Sequence, residues 1–102
     1  MDIAVAQTGN SARIMLKGHV DERGAEALKA GLTDLPWDSL KEVVFDFRDV
    51  TRIGSAGIGQ LLLFYKNLTG AGGIMRLEGV PAATYELFQG LKLDTLFSMT
   101  KV

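Results

Sequence analysis

The chain has 102 residues, of which 47% are hydrophobic and 23% charged, with a net charge of -1, which predicts a single domain spanning residues 1–102. The near-zero charge excludes a basic surface for nucleic acid, and a chain with one histidine and no cysteine excludes disulfides, thiol catalysis and multi-histidine metal sites. Neither a secretory signal nor a membrane-inserting stretch is visible, so we expect a cytoplasmic protein without metal or cofactor.

The N-terminal third predicts a hairpin followed by a helix. Residues 3–5 and 13–20 alternate between apolar and small or polar side chains around a turn at 9–10, a pattern typical of two strands. Asp21 stands where a helix N-cap is expected, and apolar residues at helical spacing follow it to about Leu32.

The rest of the chain alternates strands and helices. Segment 42–47, EVVFDF, predicts a central strand covered on both faces, because three consecutive residues in it are apolar. A helix is expected from Ala56 to about Thr69, a strand at 74–80 and a further helix from Pro81. This order predicts an α/β fold in which the latter two strands are parallel and the opening hairpin adds an antiparallel edge, giving a mixed sheet.

A glycine-rich turn, Gly-Ser-Ala-Gly-Ile-Gly at 54–59, precedes a strongly apolar helix. Gly57 and Gly59 each cost the first helical turn about 1 kcal/mol relative to alanine, so they indicate a close backbone approach or a presented serine. Ser55 is predicted to cap the helix that begins at Ala56, and a phosphate on it would lie in the positive field of the helix terminus. The alternative is an ordinary cap whose glycines let the helix pack tightly on the sheet.

Three catalytic motifs are excluded by spacing. Gly54, Gly57 and Gly59 do not form the G-x-G-x-x-G of dinucleotide-binding proteins, and Ile53 stands where a nucleophile elbow needs glycine. The turn also lacks the Gly-Lys-Ser/Thr of a P-loop.

Two acid–base arrangements are possible only if the fold brings the residues concerned together. His19 could serve as a base to Ser55 only if folding brings the two together, and a structural histidine is more usual. Asp46 and Asp49 could pair as an acid and a base near the strand end, although solvated or capping roles are more common. We expect no enzyme activity.

The apolar helix carries a predicted buried stripe made of Ile58, Leu61, Leu62, Tyr65 and Leu68. Leu63 and Phe64 extend the stripe beyond one face, either for burial against a neighbouring helix or as a partner surface. Trp37, in a loop, is expected to be a satellite-core residue.

Three segments resemble STAS domains, the fold of bacterial anti-sigma factor antagonists. Residues 43–81, VVFDFRDVTRIGSAGIGQLLLFYKNLTGAGGIMRLEGVP, resemble the core strand, the serine-glycine turn and the following helix and strand. Residues 16–32 are similar to the L-x-G-E-[LIV]-D segment and first helix, and residues 91–97 to the family's ending. The resemblance implies a STAS-like mixed four- to five-stranded sheet with about four helices, and no catalysis.

The resemblance also implies a switch. In antagonist members, an anti-sigma factor that is also a serine kinase phosphorylates the serine of the turn, the unphosphorylated form binds that kinase, and a phosphatase resets the switch. By position, Ser55 is then the phosphoacceptor and Asp21 the acidic residue near it. Gly57, Ile58 and Gly59 match residues that contact the partner.

The sequence departs from the family beside the serine. Gly54 stands where the family has aspartate and Ala56 where it has serine or threonine, and both belong to the predicted partner-binding turn. His19 replaces a frequent glutamate. Such turns fit STAS modules that bind without being phosphorylated.

Three functions therefore remain open. The chain is an anti-sigma factor antagonist switched at Ser55; or a constitutive binding module, such as the STAS subunit of a lipid ABC transporter that docks on the ATPase; or a small ligand-sensing or scaffold domain. None involves direct nucleic-acid binding.

Overall fold

A computed structural model describes all 102 residues. Its elements are β1 (Asp2–Thr8), β2 (Ser11–Val20), α1 (Glu22–Thr33), β3 (Glu42–Ile53), α2 (Ser55–Gly70), β4 (Ile74–Val80), α3 (Ala82–Gly90), a 3-10 helix (Leu93–Thr95) and β5 (Ser98–Lys101). The predicted α/β class is confirmed, with three α-helices and a 3-10 turn in place of about four helices. No helix combines the length and apolar character needed to span a membrane.

The five strands form one sheet in chain order, β1-β2-β3-β4-β5. β1 is antiparallel to β2, and every other neighbouring pair is parallel. The antiparallel edge and the parallel pairing of β3 with β4 confirm the predicted mixed sheet. The sequence did not predict β5, because this strand has only four residues and most of them are polar.

The helices pack on one face of the sheet. Phe45 in β3 lies edge-on to Phe64 of α2, with ring centroids 5.8 Å apart, and Phe47 lies edge-on to Phe88 of α3 at 5.9 Å. Leu28 of α1 is fully buried in the same core cluster. Because alternate residues of a strand face the same side, these contacts place the helices together and leave the opposite face of the sheet without a helical layer.

This second face is closed by charged side chains. Val44 points to it, yet is only 6% exposed, and Arg13 and Arg76 flank it in the sheet register. Arginine stems at flanking positions of this kind can cover an apolar neighbour. Arg13 donates to Glu78 at 2.9 Å and to Asp46 at 3.2 Å, and the hydrogen bond to Glu78 is the largest reason that the pKa of Arg13 is raised. The prediction of a central strand covered on both faces is therefore confirmed for Val43, Val44 and Phe45, which are all buried, although the second face carries charged side chains instead of helices.

The ion pairs of Arg13 give the stability a pH dependence. Burial raises the pKa of Asp46, but the Arg48 N–H at 3.0 Å and the Arg13 guanidinium more than offset it, so the pKa is lowered. Because the pKa of Asp46 is lowered in the folded state, its ionised form stabilises the fold at every pH above the ordinary aspartate pKa of about 4. This contribution is lost as the pH falls through the lowered pKa.

We expect Arg13→Met to lower the free energy of unfolding by about 0.5–1 kcal/mol at neutral pH, because these pairs are partly solvent-screened, and by almost nothing near pH 2. Urea unfolding at the two pH values measures the difference, with Arg23→Met, an exposed arginine, as the control. An equal loss at both pH values would mean that Arg13 acts through packing alone.

Candidate functional site

The candidate site lies on a two-stranded extension of the sheet. The pairing of β3 with β4 ends at Asp46 and Glu78, whereas β2 and β3 remain paired as far as Val20 and Ile53. The Gly54 N–H then donates to the Val20 carbonyl at 3.0 Å, which holds the start of the turn against β2. The turn therefore projects beyond the main body of the sheet.

The extension corrects the predicted position of the two aspartates near the end of the strand. Asp46 and Asp49 lie inside β3, which runs to Ile53 rather than ending near residue 47. Asp46 is engaged by Arg13, and Asp49 is exposed. The structure pairs neither with the other as an acid and a base.

Ser55 is the first residue of α2 and is not its cap. Gly54 occupies the N-cap position with φ -97° and ψ 179° and makes no side-chain capping bond, and the first turn contains no acidic residue. The prediction that Ser55 caps a helix starting at Ala56 is therefore wrong by one residue. Ser55 is exposed, and the N–H groups of the first turn have no side-chain acceptor. Such a terminus favours an anion placed beside it.

The two helical glycines have different roles. Gly57 is buried, and a Cβ there would lie 2.5 Å from Val20 Cγ1 and 2.9 Å from Ile53 Cγ1. The interpretation that glycine lets the helix approach the sheet closely is thus confirmed at Gly57. At Gly59 a Cβ would meet nothing within 4 Å, so packing does not explain that glycine.

Asp21 lies beside the turn and caps α1. Its Oδ1 accepts the Gly24 N–H at 2.8 Å, which confirms the predicted N-cap, and this bond is the main reason that the pKa of Asp21 is lowered. Asp21 and Gly54 line the same cavity of 150 Å³, together with His19, Val20, Arg52 and Ile53.

His19 contacts a different hydroxyl from the one considered as its partner. Its Nδ1 lies 2.7 Å from Thr51 Oγ1. Arg52 is a charged neighbour of the turn that the sequence reasoning missed, although the alternation of polar and apolar residues at 49–53 could have extended the strand that carries it.

Most of the predicted partner-binding residues are accessible. Exposed residues are Asp21, Gly54, Ser55, Ala56 and Gly59; Ile58 is half-buried and Gly57 is buried. The exposed residues of the turn therefore form a small surface with little charge. The buried Gly57 lies beneath this surface and lets the helix pack closely on the sheet.

The outer face of α2 continues from the turn. Ser55, Gly59 and Leu63 share one face at i, i+4 spacing, which spans about 12 Å of helix. Leu63 is 50% exposed beside a groove of 220 Å³ between α1 and α2, whereas Phe64 is buried against the sheet. Trp37 lines the same groove and packs partly against the core, as expected of a satellite-core residue.

Comparison with known proteins identifies a matching family and several solved structures with a similar fold. Residues 3–100 match the family described as "Mlab, STAS domain". An anti-sigma factor antagonist from Mycobacterium paratuberculosis is 23% identical, with 99% of this chain and 86% of that chain covered and a TM-score of 0.86.

Two further proteins share the fold. The anti-sigma factor antagonist SpoIIAA in its unphosphorylated form is 18% identical over 99% of this chain and 90% of that chain, with a TM-score of 0.77. Its phosphorylated form, from Bacillus, is 19% identical over 99% and 91%, with a TM-score of 0.78. A sulfate transporter family protein from Wolinella succinogenes is 18% identical over 91% and 79%, with a TM-score of 0.77. At these identities the likeness is one of fold.

Proposed function

Because the chain belongs to the STAS domain family, we propose that residues 1–102 act as one anti-sigma factor antagonist that binds an anti-sigma factor with serine kinase activity and is switched by phosphorylation of Ser55. The observation that carries this proposal is the exposure of Ser55 on the first turn of a helix without a side-chain cap. In this proposal the chain performs no catalysis, works in the cytoplasm and is reset by a phosphatase.

The switch acts through shape and charge. In the unmodified state, Gly54, Ser55, Ala56 and Gly59 form a small surface on which a partner can pack closely. A phosphate on Ser55 adds a charge of about -1.5 to -2, and the open helix terminus stabilises it there. An acidic partner surface is then repelled, and an apolar one would have to desolvate the phosphate, while Asp21 supplies a second contact point.

The glycine before the serine is not required by the backbone. Gly54 has a φ of -97°, which any residue adopts, and a Cβ would come no nearer than 3.8 Å to the Val20 carbonyl oxygen. An aspartate, the residue typical of the family, therefore fits this position and would cap α2. The glycine instead leaves the serine without a carboxylate on the preceding residue, which lowers the negative charge that a kinase or partner meets.

The test of the proposal is intact mass and phosphosite mapping on protein isolated from its native cells. We expect a shift of one phosphate, about 80 Da, localised to Ser55 and absent from a Ser55→Ala strain. Ser39 and Ser98, both exposed, serve as internal controls and should remain unmodified. An unmodified Ser55 under every growth condition contradicts the switch.

Mimicking the phosphate should release the partner. We expect Ser55→Asp to weaken binding of the partner that co-purifies with the wild type by about 5- to 150-fold, or roughly 1–3 kcal/mol, whereas Ser55→Ala binds constitutively. Isothermal titration measures both, with Asn67→Asp as a control that adds one charge at the far end of the same helix. If Ser55→Asp binds as tightly as the wild type, the electrostatic switch is wrong.

A second candidate function is a constitutive binding subunit that docks on a partner such as the ATPase of a lipid ABC transporter. The family match supports it, because the matched STAS family carries the name Mlab rather than that of an antagonist. The absence of a carboxylate at Gly54 supports it as well. An unmodified Ser55 together with co-purification of an ATPase would favour this candidate over the first.

A further inference from the structure

The two edges of the sheet differ in how they are protected. β5 is four residues long, carries Lys101, and its register with β4 is interrupted between Leu77 and Val80. β1 is seven residues long and pairs with β2 in an unbroken register. Its one charged residue is Asp2 at the end of the strand. Short length, lysine and irregularity discourage pairing with another chain, so β5 is guarded and β1 is not.

The β1 edge continues an apolar row of the core. Leu77, Phe45 and Ile14 lie side by side across the sheet on its helix face, and Val5 of β1 is next in this row. The first three are buried, whereas Val5 is 44% exposed at the open edge. An added strand with an apolar residue opposite Val5 would extend the row and cover that side chain.

The β1 sequence is complementary to itself in the antiparallel direction. If two copies meet about an axis at Val5, each pair of opposed residues is compatible in size or polarity, and no two like charges are opposed. The pairs are Val5 with Val5, Ala4 with Ala6, Ile3 with Gln7, and Asp2 with Thr8. This arrangement also satisfies the outward N–H and C=O groups of both edges.

We propose that β1 pairs with β1 of a second copy, antiparallel and centred on Val5, so that two five-stranded sheets join into one sheet of ten strands. The contact is isologous, as in most two-fold dimers. One strand on each side makes a small interface, so we expect a dissociation constant of about 10–100 µM. The proposal stands apart from the switch at Ser55, which lies at the end of β3 rather than on this edge.

Cysteine cross-linking tests the register, and the chain contains no native cysteine to interfere. We expect Val5→Cys to form a disulfide-linked dimer on mild oxidation, because directly opposed Cβ atoms lie about 4.5–5.5 Å apart. Ala4→Cys alone and Ala6→Cys alone should cross-link at least several-fold less, since each is about 7–8 Å from its own copy. An equimolar mixture of the last two should give the mixed dimer. Cross-linking of Ala4→Cys as efficiently as Val5→Cys overturns the proposed register.

Sedimentation velocity tests the association itself. The mass of the wild type should rise from 11.0 kDa towards twice that value with increasing concentration. Val5→Lys should remain monomeric, because it opposes two lysines, while Leu91→Lys, at a site 50% exposed on the other side of the fold, should dimerise like the wild type. Circular dichroism confirms that both variants fold. A wild type that stays monomeric at about 500 µM, well above the expected dissociation constant, overturns the proposal. Ser55→Asp should dimerise unchanged, so failure of the switch and failure of the dimer are distinguishable.

Discussion

Replacing Phe45 by alanine is expected to lower the free energy of unfolding by about 3–5 kcal/mol, a large part of the stability of a small domain. Phe45 is fully buried in the central strand, and its ring meets Phe64 of α2 edge-on at 5.8 Å. Truncation leaves a cavity between the sheet and the helix that carries Ser55. Urea unfolding measures the loss, and Phe45→Leu, which fills most of the space, should lose much less.

A double-mutant cycle measures how much of this loss comes from the contact between Phe45 and Phe64 of α2. We expect Phe45→Ala and Phe64→Ala to be coupled by about 0.5–1.5 kcal/mol, the range for edge-to-face pairs. A loss below about 1 kcal/mol for Phe45→Ala would contradict the assignment of this ring to the centre of the core.

Gly57→Ala is expected to destabilise the protein by about 1–3 kcal/mol, although alanine is the better helix former. The added methyl group would meet Val20 and Ile53 at 2.5–2.9 Å, and neither branched side chain can move away easily within the core. The helix must then shift outward, so partner binding at Ser55 should weaken as well.

Gly59→Ala is the matched control for this prediction. The residue is also in the first turns of α2, but its added Cβ would meet nothing within 4 Å. We expect it to stabilise the protein by about 0.5–1 kcal/mol through helix propensity. Thermal unfolding of both variants gives the comparison. Equal shifts of the same sign would mean that the close approach at Gly57 does not limit the position of the helix.

Local patterns predicted most of the elements. The alternation around residues 9–10 predicted the β1–β2 hairpin, and Asp21 predicted the start of α1, because both signals arise from neighbours in the chain. The end of β3 was predicted too early, since its last residues pair only with β2 and are largely solvated, so they lack the apolar run of a central strand. The apolar run of Val43, Val44 and Phe45 correctly predicted burial on both faces of β3. That arginines of neighbouring strands flank Val44 on the second face depends on strand register, which no local pattern contains.

The candidate site was partly accessible to sequence reasoning. The turn around Ser55 was visible as a motif, and its place at a strand end followed from the α/β pattern. That Asp21 lies beside Gly54 depends on the register of β2 with β3, which no local pattern contains, and it was anticipated through family resemblance alone. Leu63 and Phe64 are consecutive in an apolar run, yet Leu63 is exposed and Phe64 is buried. This difference depends on where α1 and the sheet lie, which the run itself does not show.

The order of the strands has a consequence for how the chain acquires its structure. Each strand lies next to the one that precedes it in the chain, from β1 to β5. The sheet can therefore grow by addition at a single edge as the polypeptide leaves the ribosome, and no early strand has to wait for a distant partner or be displaced by a later one. Sequence-local assembly of this kind limits the length of chain that each strand addition must close, and so limits the loop-closure entropy of each step.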